Sequence, residues 1–321
     1  MDAPLLAVEG LSLEFRTRGG TVRALADVSL SLSRGETLGL VGESGSGKSV
    51  LSYAILRILD DAARVTAGSV RFGGMDLLSL TDAQMSEVRG REIGMIFQNP
   101  RVALNPIRRV GEQIGDVLGR HTTTLRAQRR TRAVAALQSV RITDPQRRHD
   151  AYPFEMSGGQ CQRVMIAMAL ASNPSLLIAD EPTTGLDVTT QAAIMQLLRD
   201  AAADRKMATI LITHDLALAA ENCDRIAVMH AGHVVEVAPT GELFANPRHP
   251  YTRALIDSIP AAAGSLAKLD AIPGTLPDLR RADLPSCRFA ERCRRADETC
   301  RTRALPRDHG AGHLVACHHP L

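Results

Sequence analysis

The sequence predicts an α/β fold with a mainly parallel β-sheet. The first observation is a short apolar run at residues 37–41, which leads into a glycine-rich loop and then into an amphipathic helical pattern. The second is a set of three further apolar runs, at residues 176–179, 209–213 and 225–230, which are separated by helical patterns. The third is the composition, 45% apolar and 23% charged residues, which is ordinary for a globular chain.

Length and charge exclude several classes of protein. The 321 residues suffice for one large domain, or for one domain with an appendage, around a sizeable core. No apolar run approaches the ~18 residues needed to span a bilayer, and the N-terminus lacks a signal pattern, so we expect a soluble chain in the cytoplasm. The net charge is only +3. The arginine-rich stretch 120–148 lacks aromatic residues and is typical of a solvated helical face, so we expect no nucleic-acid partner.

Two strands and a helix are predicted in the N-terminal part of the chain. Residues 28–33 alternate between apolar and small polar side chains, which predicts a half-buried antiparallel strand. Residues 37–41 predict a fully buried strand, and the glycine-rich loop follows it. From Lys48 onward, apolar side chains recur at helical spacing and predict a helix that extends to Leu59.

The pattern changes twice further along the chain. Between about residues 99 and 157 the strand signals disappear, and a mostly helical insertion is expected there. Past Ile259 the chain has a small-residue run at 261–264, several prolines and four of its six cysteines. This composition predicts a linker followed by a small C-terminal appendage.

The glycine-rich loop has the spacing G-x-x-x-x-G-K-[ST], which predicts a nucleotide site. Glycines let successive N–H groups point at phosphates beside a helix N-terminus. Lys48 would reach the β- and γ-phosphates, and the Ser49 hydroxyl would bind magnesium. The alternative, an ordinary glycine turn, is disfavoured by the flanking strand and helix. The predicted nucleotide-binding residues of this motif are Gly42, Glu43, Ser44, Gly45, Ser46, Gly47, Lys48, Ser49 and Val50.

Two carboxylates follow the apolar run at 176–179. Asp180 would be carried by its strand to the magnesium ion, and Glu181 would extend toward the attacking water. Upstream, the sequence Ser157-Gly158-Gly159-Gln160, taken alone, indicates only a helix start, because serine is a common N-cap. Its position between the glycine-rich loop and the two acids gives it weight.

In this order the motifs resemble an ATP-binding cassette (ABC) protein, over about residues 5–245. The matching positions, in chain order, are Walker A at 42–49, Gln98, the signature at 157–160, Walker B ending in Asp180 and Glu181, the loop 185–187, and His214. The departures are minor: Met156 replaces the usual leucine before the signature, and Cys161 follows Gln160.

The resemblance implies a P-loop NTPase fold of the ABC type. It would have a RecA-like parallel-sheet core, an N-terminal antiparallel β-subdomain, a helical signature subdomain at about 99–160 and a small Cys-rich C-terminal extension. The nucleotide-binding domain would cover residues 1–258, and the extension would cover residues 259–321.

The resemblance also implies a head-to-tail dimer and a role for each motif residue. The signature Ser157, Gly158, Gly159 and Gln160 would act on the partner's ATP, and Asp187 would lie at the dimer seam. Glu181 would be the general base or water-orienting carboxylate, and His214 would hold the γ-phosphate. Magnesium would be bound by Ser49, Gln98 and Asp180, with Gln98 also touching the water. Phe15 occupies the place of the family's adenine-stacking aromatic; the alternative is a core role.

Further segments resemble the dipeptide, oligopeptide and nickel importer ATPases: 97–106, 249–255, 272–274 and the cysteine tail. The implied function is an ATP-hydrolysing subunit of an importer. Its partners would be two integral-membrane permease subunits, a second ABC ATPase that is a paralogue or itself, and, indirectly, an extracytoplasmic solute-binding protein. It would lie on the cytoplasmic face of the membrane. The alternatives are a non-transport ABC ATPase and a binding-only regulatory subunit. The sequence does not identify the transported solute.

The tail contains Cys287, Cys293, Cys300 and Cys317, which in a reducing compartment are typical metal ligands rather than disulfides. Irregular spacing without C-x-x-C pairs favours an iron–sulfur cluster over zinc, and the resemblance implies 4Fe-4S. Zinc and plain buried thiols stay as alternatives. The tail histidines, His309, His313, His318 and His319, could replace a ligand but are typically solvated. Cys161 and Cys223 are expected to pack as small apolar residues.

Overall fold

The structure is a computed structural model that describes residues 3–259, 272–306 and 312–321, together with the backbone of 308–310. The run at 261–264 that predicts a linker lies outside the described residues, as does the side chain of His309. No helix in the described part of the chain combines the length and apolar character that a membrane span requires.

The described residues form strands and helices in alternation. The strands are β1 (Leu6–Thr17), β2 (Gly20–Leu32), β3 (Thr37–Val41), β4 (Ala63–Phe72), β5 (Met75–Asp76), β6 (Ile93–Ile96), β7 (Leu176–Asp180), β8 (Ala208–Thr213), β9 (Arg225–His230), β10 (His233–Pro239), β11 (Asp308–Gly310) and β12 (His313–Val315). The helices are α1 (Lys48–Leu56), α2 (Asp82–Val88), α3 (Pro100–Ala103), α4 (Val110–His121), α5 (Arg129–Ser139), α6 (Pro145–His149), α7 (Gly158–Leu170), α8 (Val188–Arg205), α9 (Leu216–Asn222), α10 (Thr240–Ala245), α11 (Pro250–Asp257) and α12 (Glu298–Thr302).

The chain divides into two compact units. The first contains residues 1–33, 37–79 and 211–321, and the second contains residues 34–36 and 80–210. The division falls within β8. The buried parallel strands and the helices between them confirm the predicted α/β class.

Two groups of strands make up the first unit. The four strands β1, β2, β4 and β5 form an antiparallel sheet in the order β2-β1-β4-β5. In the second group β3 pairs in parallel with β9, and β9 pairs antiparallel with β10. The apolar side chains of β3 and β9 are buried because neither face of this part of the sheet meets water.

Helix α1 is shorter than the apolar spacing predicts. It ends at Leu56, because Arg57 adopts a left-handed conformation with φ 51° and its N–H bonds back to the last turn. Ile58 and Leu59 therefore lie beyond the helix, and Ile58 is 37% exposed. A terminator of this kind leaves little trace in the sequence when the residue is arginine rather than glycine.

The second unit contains a parallel strand pair, β6 and β7, and a helical stretch between them. Helices α4, α5 and α7 pack on one another around buried apolar side chains such as Ile114, Leu137 and Val164. The arginines of 120–148 face outward for the most part, as a solvated helical face predicts.

The C-terminal residues continue the sheet of the first unit. Strand β12 pairs antiparallel with β10, matching Val315 with Glu236 and Leu314 with Val237. His313, which the sequence predicts as a solvated tail histidine, is instead only 6% exposed. The reason is that β12 places it beside the buried Glu236.

Candidate nucleotide-binding site

The glycine-rich loop connects β3 to α1 in the first unit. Gly42 has φ 150°, and a Cβ added there would lie 2.1 Å from the Met229 carbonyl oxygen, so no larger residue fits. Gly47 has φ 106° and is the N-cap of α1, where no side chain bonds to the helix N-terminus. The first N–H groups of α1 therefore have no capping side chain, which is the arrangement that a bound phosphate uses.

Lys48 is folded back into this loop. Its Nζ donates to the carbonyl oxygens of Gly42 and Glu43 at 2.8 and 2.9 Å, and it lies 3.4 Å from Ser46 Oγ. The residue is only 5% exposed. The ammonium group is therefore held at the centre of the loop by oxygen atoms, and an anion entering the loop would meet it there.

Glu43 is fixed by residues from the C-terminal half of the chain. Its N–H donates to the Tyr251 hydroxyl at 3.0 Å. Its carboxylate receives two hydrogen bonds from the Arg292 guanidinium, at 2.6 and 2.9 Å. These bonds to Arg292 hold the pKa of the Glu43 carboxyl below its usual value, against the opposite effect of burial.

Phe15 and His214 are the other two predicted site residues of the first unit. Phe15 lies in β1, where its neighbours across the sheet are Val22 and Ala63, and it is half-buried. His214 directly follows β8 and is exposed. The next residue, Asp215, caps α9 by accepting from the Leu218 N–H at 3.0 Å.

In the second unit, β7 ends in the two predicted acids. Asp180 is 1% exposed, whereas Glu181 is half-buried. Glu181 has φ 46°, a left-handed conformation that costs an ordinary residue about 1–3 kcal/mol and that clusters at functional sites. The two adjacent carboxylates therefore differ in burial, and only the second belongs to a residue with a left-handed backbone conformation.

The Glu181 carboxylate accepts two hydrogen bonds on one oxygen. Gln98 Nε2 donates to Oε2 at 2.9 Å, and Thr184 Oγ1 donates to the same atom at 2.8 Å. The structure thus brings together Gln98 and Glu181, which lie 83 residues apart in the sequence. Thr184 is a site residue that the motifs missed; the signal for it was a threonine three residues after Glu181, in a tight turn.

The signature residues open α7. Ser157 is the N-cap: its hydroxyl accepts from the Gln160 N–H at 3.3 Å, while the Gln160 side chain accepts from the Ser157 N–H at 3.0 Å. This capping box fixes the helix start, and Gly158 has open space around it. Asp187 is likewise the N-cap of α8, and hydrogen bonds from Thr190 lower the pKa of its carboxyl.

The four tail cysteines line one small cavity. Cys287, Cys293, Cys300 and Cys317 are all free thiols, and the cavity also contacts His318 and His319. Burial raises the pKa of the Cys287 thiol to about 12. Among the described residues, the potential metal-ligand atoms that lie within 4.8 Å of one another belong to Asp297, Cys300 and His319. The four thiols are therefore not as close together as one tetrahedral zinc ion requires.

Cys161 and Cys223 behave as apolar residues. Both are buried, and burial raises the pKa of Cys223 to about 12. The Cys161 thiol donates to the Pro153 carbonyl oxygen at 3.3 Å. Neither thiol lines the cavity of the tail cysteines.

Comparison with known proteins gives a consistent result. A family model described as ABC transporter matches residues 25–184, and one described as oligopeptide/dipeptide transporter, C-terminal region, matches residues 235–300. The dipeptide transport ATP-binding protein DppD of Escherichia coli is 44% identical over 319 residues, covering 99% of this chain and 97% of that protein. The oligopeptide transport ATP-binding protein OppD of Bacillus subtilis is 49% identical over 277 residues, covering 86% and 77%.

Solved structures agree on the fold. The ATP-binding cassette MJ0796, in a dimeric post-hydrolysis state with ADP and Pi, aligns with a TM-score of 0.66 at 30% identity, covering 73% of this chain and 98% of that one. The chain therefore belongs to the ABC transporter ATPase family, among the members that carry the oligopeptide/dipeptide transporter C-terminal region.

Proposed function

We propose that this chain is the ATP-hydrolysing subunit of an importer that takes up dipeptides, oligopeptides or a related solute. The observation that carries this proposal is the pairing, in one chain, of an ABC cassette with the C-terminal region of the peptide transporters. Relatives that align with 86% or more of this chain are named for dipeptide and oligopeptide transport.

In the proposed reaction, the loop 42–50 and Lys48 hold the ATP phosphates, Phe15 stacks on adenine and His214 holds the γ-phosphate. Ser49, Gln98 and Asp180 would hold magnesium through side-chain oxygen atoms, which are the hard ligands that this ion prefers. Glu181 orients the attacking water or accepts its proton. The hydrogen bonds that Gln98 and Thr184 donate to the Glu181 carboxylate support this role, because they fix its orientation.

We further propose that two ATPase subunits form a head-to-tail dimer. The signature Ser157–Gln160 of one subunit would complete the other's nucleotide site, and Asp187 would lie at the seam. The exposed N-cap of α7, Ser157, supports this role, as does Val188, which is 83% exposed beside Asp187. MJ0796, a relative in fold, was captured as a dimer. The second subunit would be a paralogue or another copy of this chain.

A membrane permease is the proposed partner of the second unit. The strongly exposed large apolar side chains of this unit include Val102 (80% exposed), Ile107 (82%) and Phe154 (74%). Val102 and Ile107 lie in and just after the segment that resembles the permease-facing loop of the importer ATPases. We propose that this surface contacts two permease subunits at the cytoplasmic face of the membrane, and that a solute-binding protein on the other side supplies the solute.

For the tail we propose a 4Fe-4S cluster held by Cys287, Cys293, Cys300 and Cys317. Four free thiols that line one cavity fit such a group, and their spacing is wider than zinc would need. When bound, the cluster would cross-link a short, irregular segment; redox sensing is the alternative role. The proposed division of the chain is a nucleotide-binding domain at 1–258, with its helical subdomain at about 99–160, and an extension at 259–321.

The test is reconstitution of the chain with its permease and second ATPase in liposomes. Uptake of labelled di- and oligopeptides that requires ATP, and that disappears in Glu181→Gln while ATP binding persists, is the expected result. ATP hydrolysis without coupling to any permease would indicate a non-transport ATPase. ATP binding with no turnover in the full complex would indicate a regulatory subunit. Either outcome would overturn the proposal.

A further inference from the structure

Glu43 introduces a negative charge into a loop that binds negatively charged phosphates. It is the second residue of the loop, directly after Gly42. An isolated carboxylate at this position would repel ATP, because the repulsion between like charges is screened only weakly near a buried site. The loop therefore needs a compensating cation close to Glu43.

Arg292 supplies that cation from a position 249 residues away in the sequence. Its side chain is only 4% exposed, and N–H groups on its two terminal nitrogen atoms donate hydrogen bonds to the two Glu43 carboxylate oxygens. Its remaining Nε–H donates to the Pro273 carbonyl oxygen at 2.7 Å. The guanidinium is thus fixed in one orientation on the carboxylate, a geometry that lysine cannot reproduce.

The backbone of Glu43 links this ion pair to Lys48. The Glu43 carbonyl oxygen accepts from Lys48 Nζ at 2.9 Å, and its N–H donates to the Tyr251 hydroxyl at 3.0 Å. Tyr251 is itself fully buried and packs against Phe289, three residues before Arg292. Arg292 therefore acts on the phosphate-binding lysine through one intervening residue.

We propose that Arg292 is a positioning residue for nucleotide binding: it neutralises Glu43 and fixes the loop in the shape that holds Lys48. The C-terminal region is then part of the nucleotide site rather than an independent appendage. This inference rests on the proposed nucleotide site at residues 42–50 and not on the proposed peptide transport.

The test measures binding of Mg·ATP to the purified full-length chain by calorimetry. Arg292→Gln leaves the Glu43 carboxylate unpaired, so binding weakens by about tenfold or more. Arg292→Lys keeps the charge without the paired hydrogen bonds, and its affinity falls between those of the wild type and Arg292→Gln. The double variant Glu43→Gln/Arg292→Gln removes both charges, and its affinity for Mg·ATP recovers to within about threefold of that of Glu43→Gln alone.

Arg281 provides the matched control. It also makes two ion pairs within the C-terminal region, to Asp283 and Glu291, but its partners lie outside the nucleotide loop. Arg281→Gln should leave the ATP affinity unchanged. The thermal midpoint of each variant shows whether the fold persists; should Arg292→Gln fail to fold, Arg292→Lys and the double variant carry the comparison.

Two results would overturn the inference. If Arg292→Gln and Arg281→Gln bind Mg·ATP equally well, Arg292 has no part in the nucleotide site. If the double variant binds as weakly as Arg292→Gln, the loss comes from the packing of the C-terminal region and not from the unpaired Glu43.

Discussion

Glu236 Oε1 lies 2.6 Å from His313 Nε2, and both residues are buried. The same carboxylate accepts the N–H groups of Arg248 at 2.6 Å and His249 at 3.0 Å, just before α11. One buried carboxylate therefore joins β10, β12 and the start of α11. A buried charge that is fully paired is tolerated, but removing it leaves several donors without a partner.

We predict that Glu236→Ala lowers the free energy of unfolding by about 3 kcal/mol. Glu236→Gln, which keeps an acceptor oxygen, should cost less. Denaturant unfolding of the variants measures both losses. Glu242 is the control, since it lies 3.9 Å from the other ring nitrogen of His313 but is 49% exposed. A Glu242→Gln loss as large as that of Glu236→Ala would show that the buried position is not decisive.

Thr184 should affect turnover and not ATP binding. Thr184→Val removes the hydroxyl that donates to Glu181 Oε2 and leaves Gln98 as the remaining donor described on that atom. Because the carboxylate is then less well oriented, we expect kcat to fall by about tenfold with little change in ATP affinity. Steady-state ATPase assays with calorimetry separate the two quantities.

The control for this prediction is Thr189→Val, at an exposed threonine in the first turn of α8. It should retain wild-type kcat. An unchanged kcat in Thr184→Val would mean that Gln98 alone suffices to orient Glu181.

His230 should make the first unit sensitive to acid. It is fully buried against Tyr251 and Phe289, and burial, with the nearby Arg292, lowers its pKa from 6.5 to about 4 despite the opposing charge of Glu43. A backbone hydrogen bond with Arg288 favours protonation of His230, which the positive charge of the Arg288 side chain opposes. His249 is a further buried neighbour of Phe289. The folded state therefore holds this imidazole neutral, while the unfolded chain protonates it near pH 6.5.

The sign of the effect follows from that difference in pKa. The contribution of His230 is fully present above pH 6.5 and is lost as the pH falls from there toward about 4. We expect a loss of about 2 kcal/mol between pH 7 and pH 5 from this residue. His230→Phe should show a shallower decline over the same range. Denaturant unfolding at each pH measures the free energy of unfolding. If that free energy fell equally steeply with pH in the wild type and in the variant, the prediction would be contradicted.

The parts of the site that the sequence predicts are those encoded by neighbouring residues. The spacing of Gly42, Gly47 and Lys48 predicts the loop, because all three residues lie in one short connection between a strand and a helix. Ser157 is recognisable as a helix cap for the same reason, since Gln160 lies three residues away. The order of the motifs then identifies the family.

Contacts between distant residues could not be predicted in this way. The Arg292–Glu43 pair joins residues 249 positions apart, and the His313–Glu236 pair joins residues 77 apart. A histidine or arginine in a polar tail has the same local pattern whether it is solvated or buried. Only the pairing of β12 with β10 brings His313 to its carboxylate.

The cysteine cavity gives a prediction that chemical analysis can check. Protein purified without oxygen should contain about four irons and four sulfides per chain. Cys293→Ser should lose them, because one of the four thiolates is missing. Cys161→Ser, at a buried thiol outside the cavity, is the control and should keep its iron. One zinc ion without sulfide would identify a zinc site, and neither metal would leave plain buried thiols.

The exposed apolar residues of the second unit should matter only when a permease is present. Ile107→Asp places a charge where a side chain that is 82% exposed is proposed to meet the permease. Burying that charge in an interface is costly, so we expect loss of peptide uptake and of permease-stimulated ATP hydrolysis. Hydrolysis and ATP binding by the isolated chain should be unchanged.

Leu125→Asp is the matched control for the permease surface. Leu125 is also apolar and 66% exposed in the second unit, but it lies outside the segment that resembles the permease-facing loop. This variant should support normal uptake. If Leu125→Asp and Ile107→Asp reduced uptake equally, the effect would come from added charge on this unit in general. If neither changed it, the permease would bind elsewhere, because a central interface position cannot accept a buried aspartate without loss of affinity.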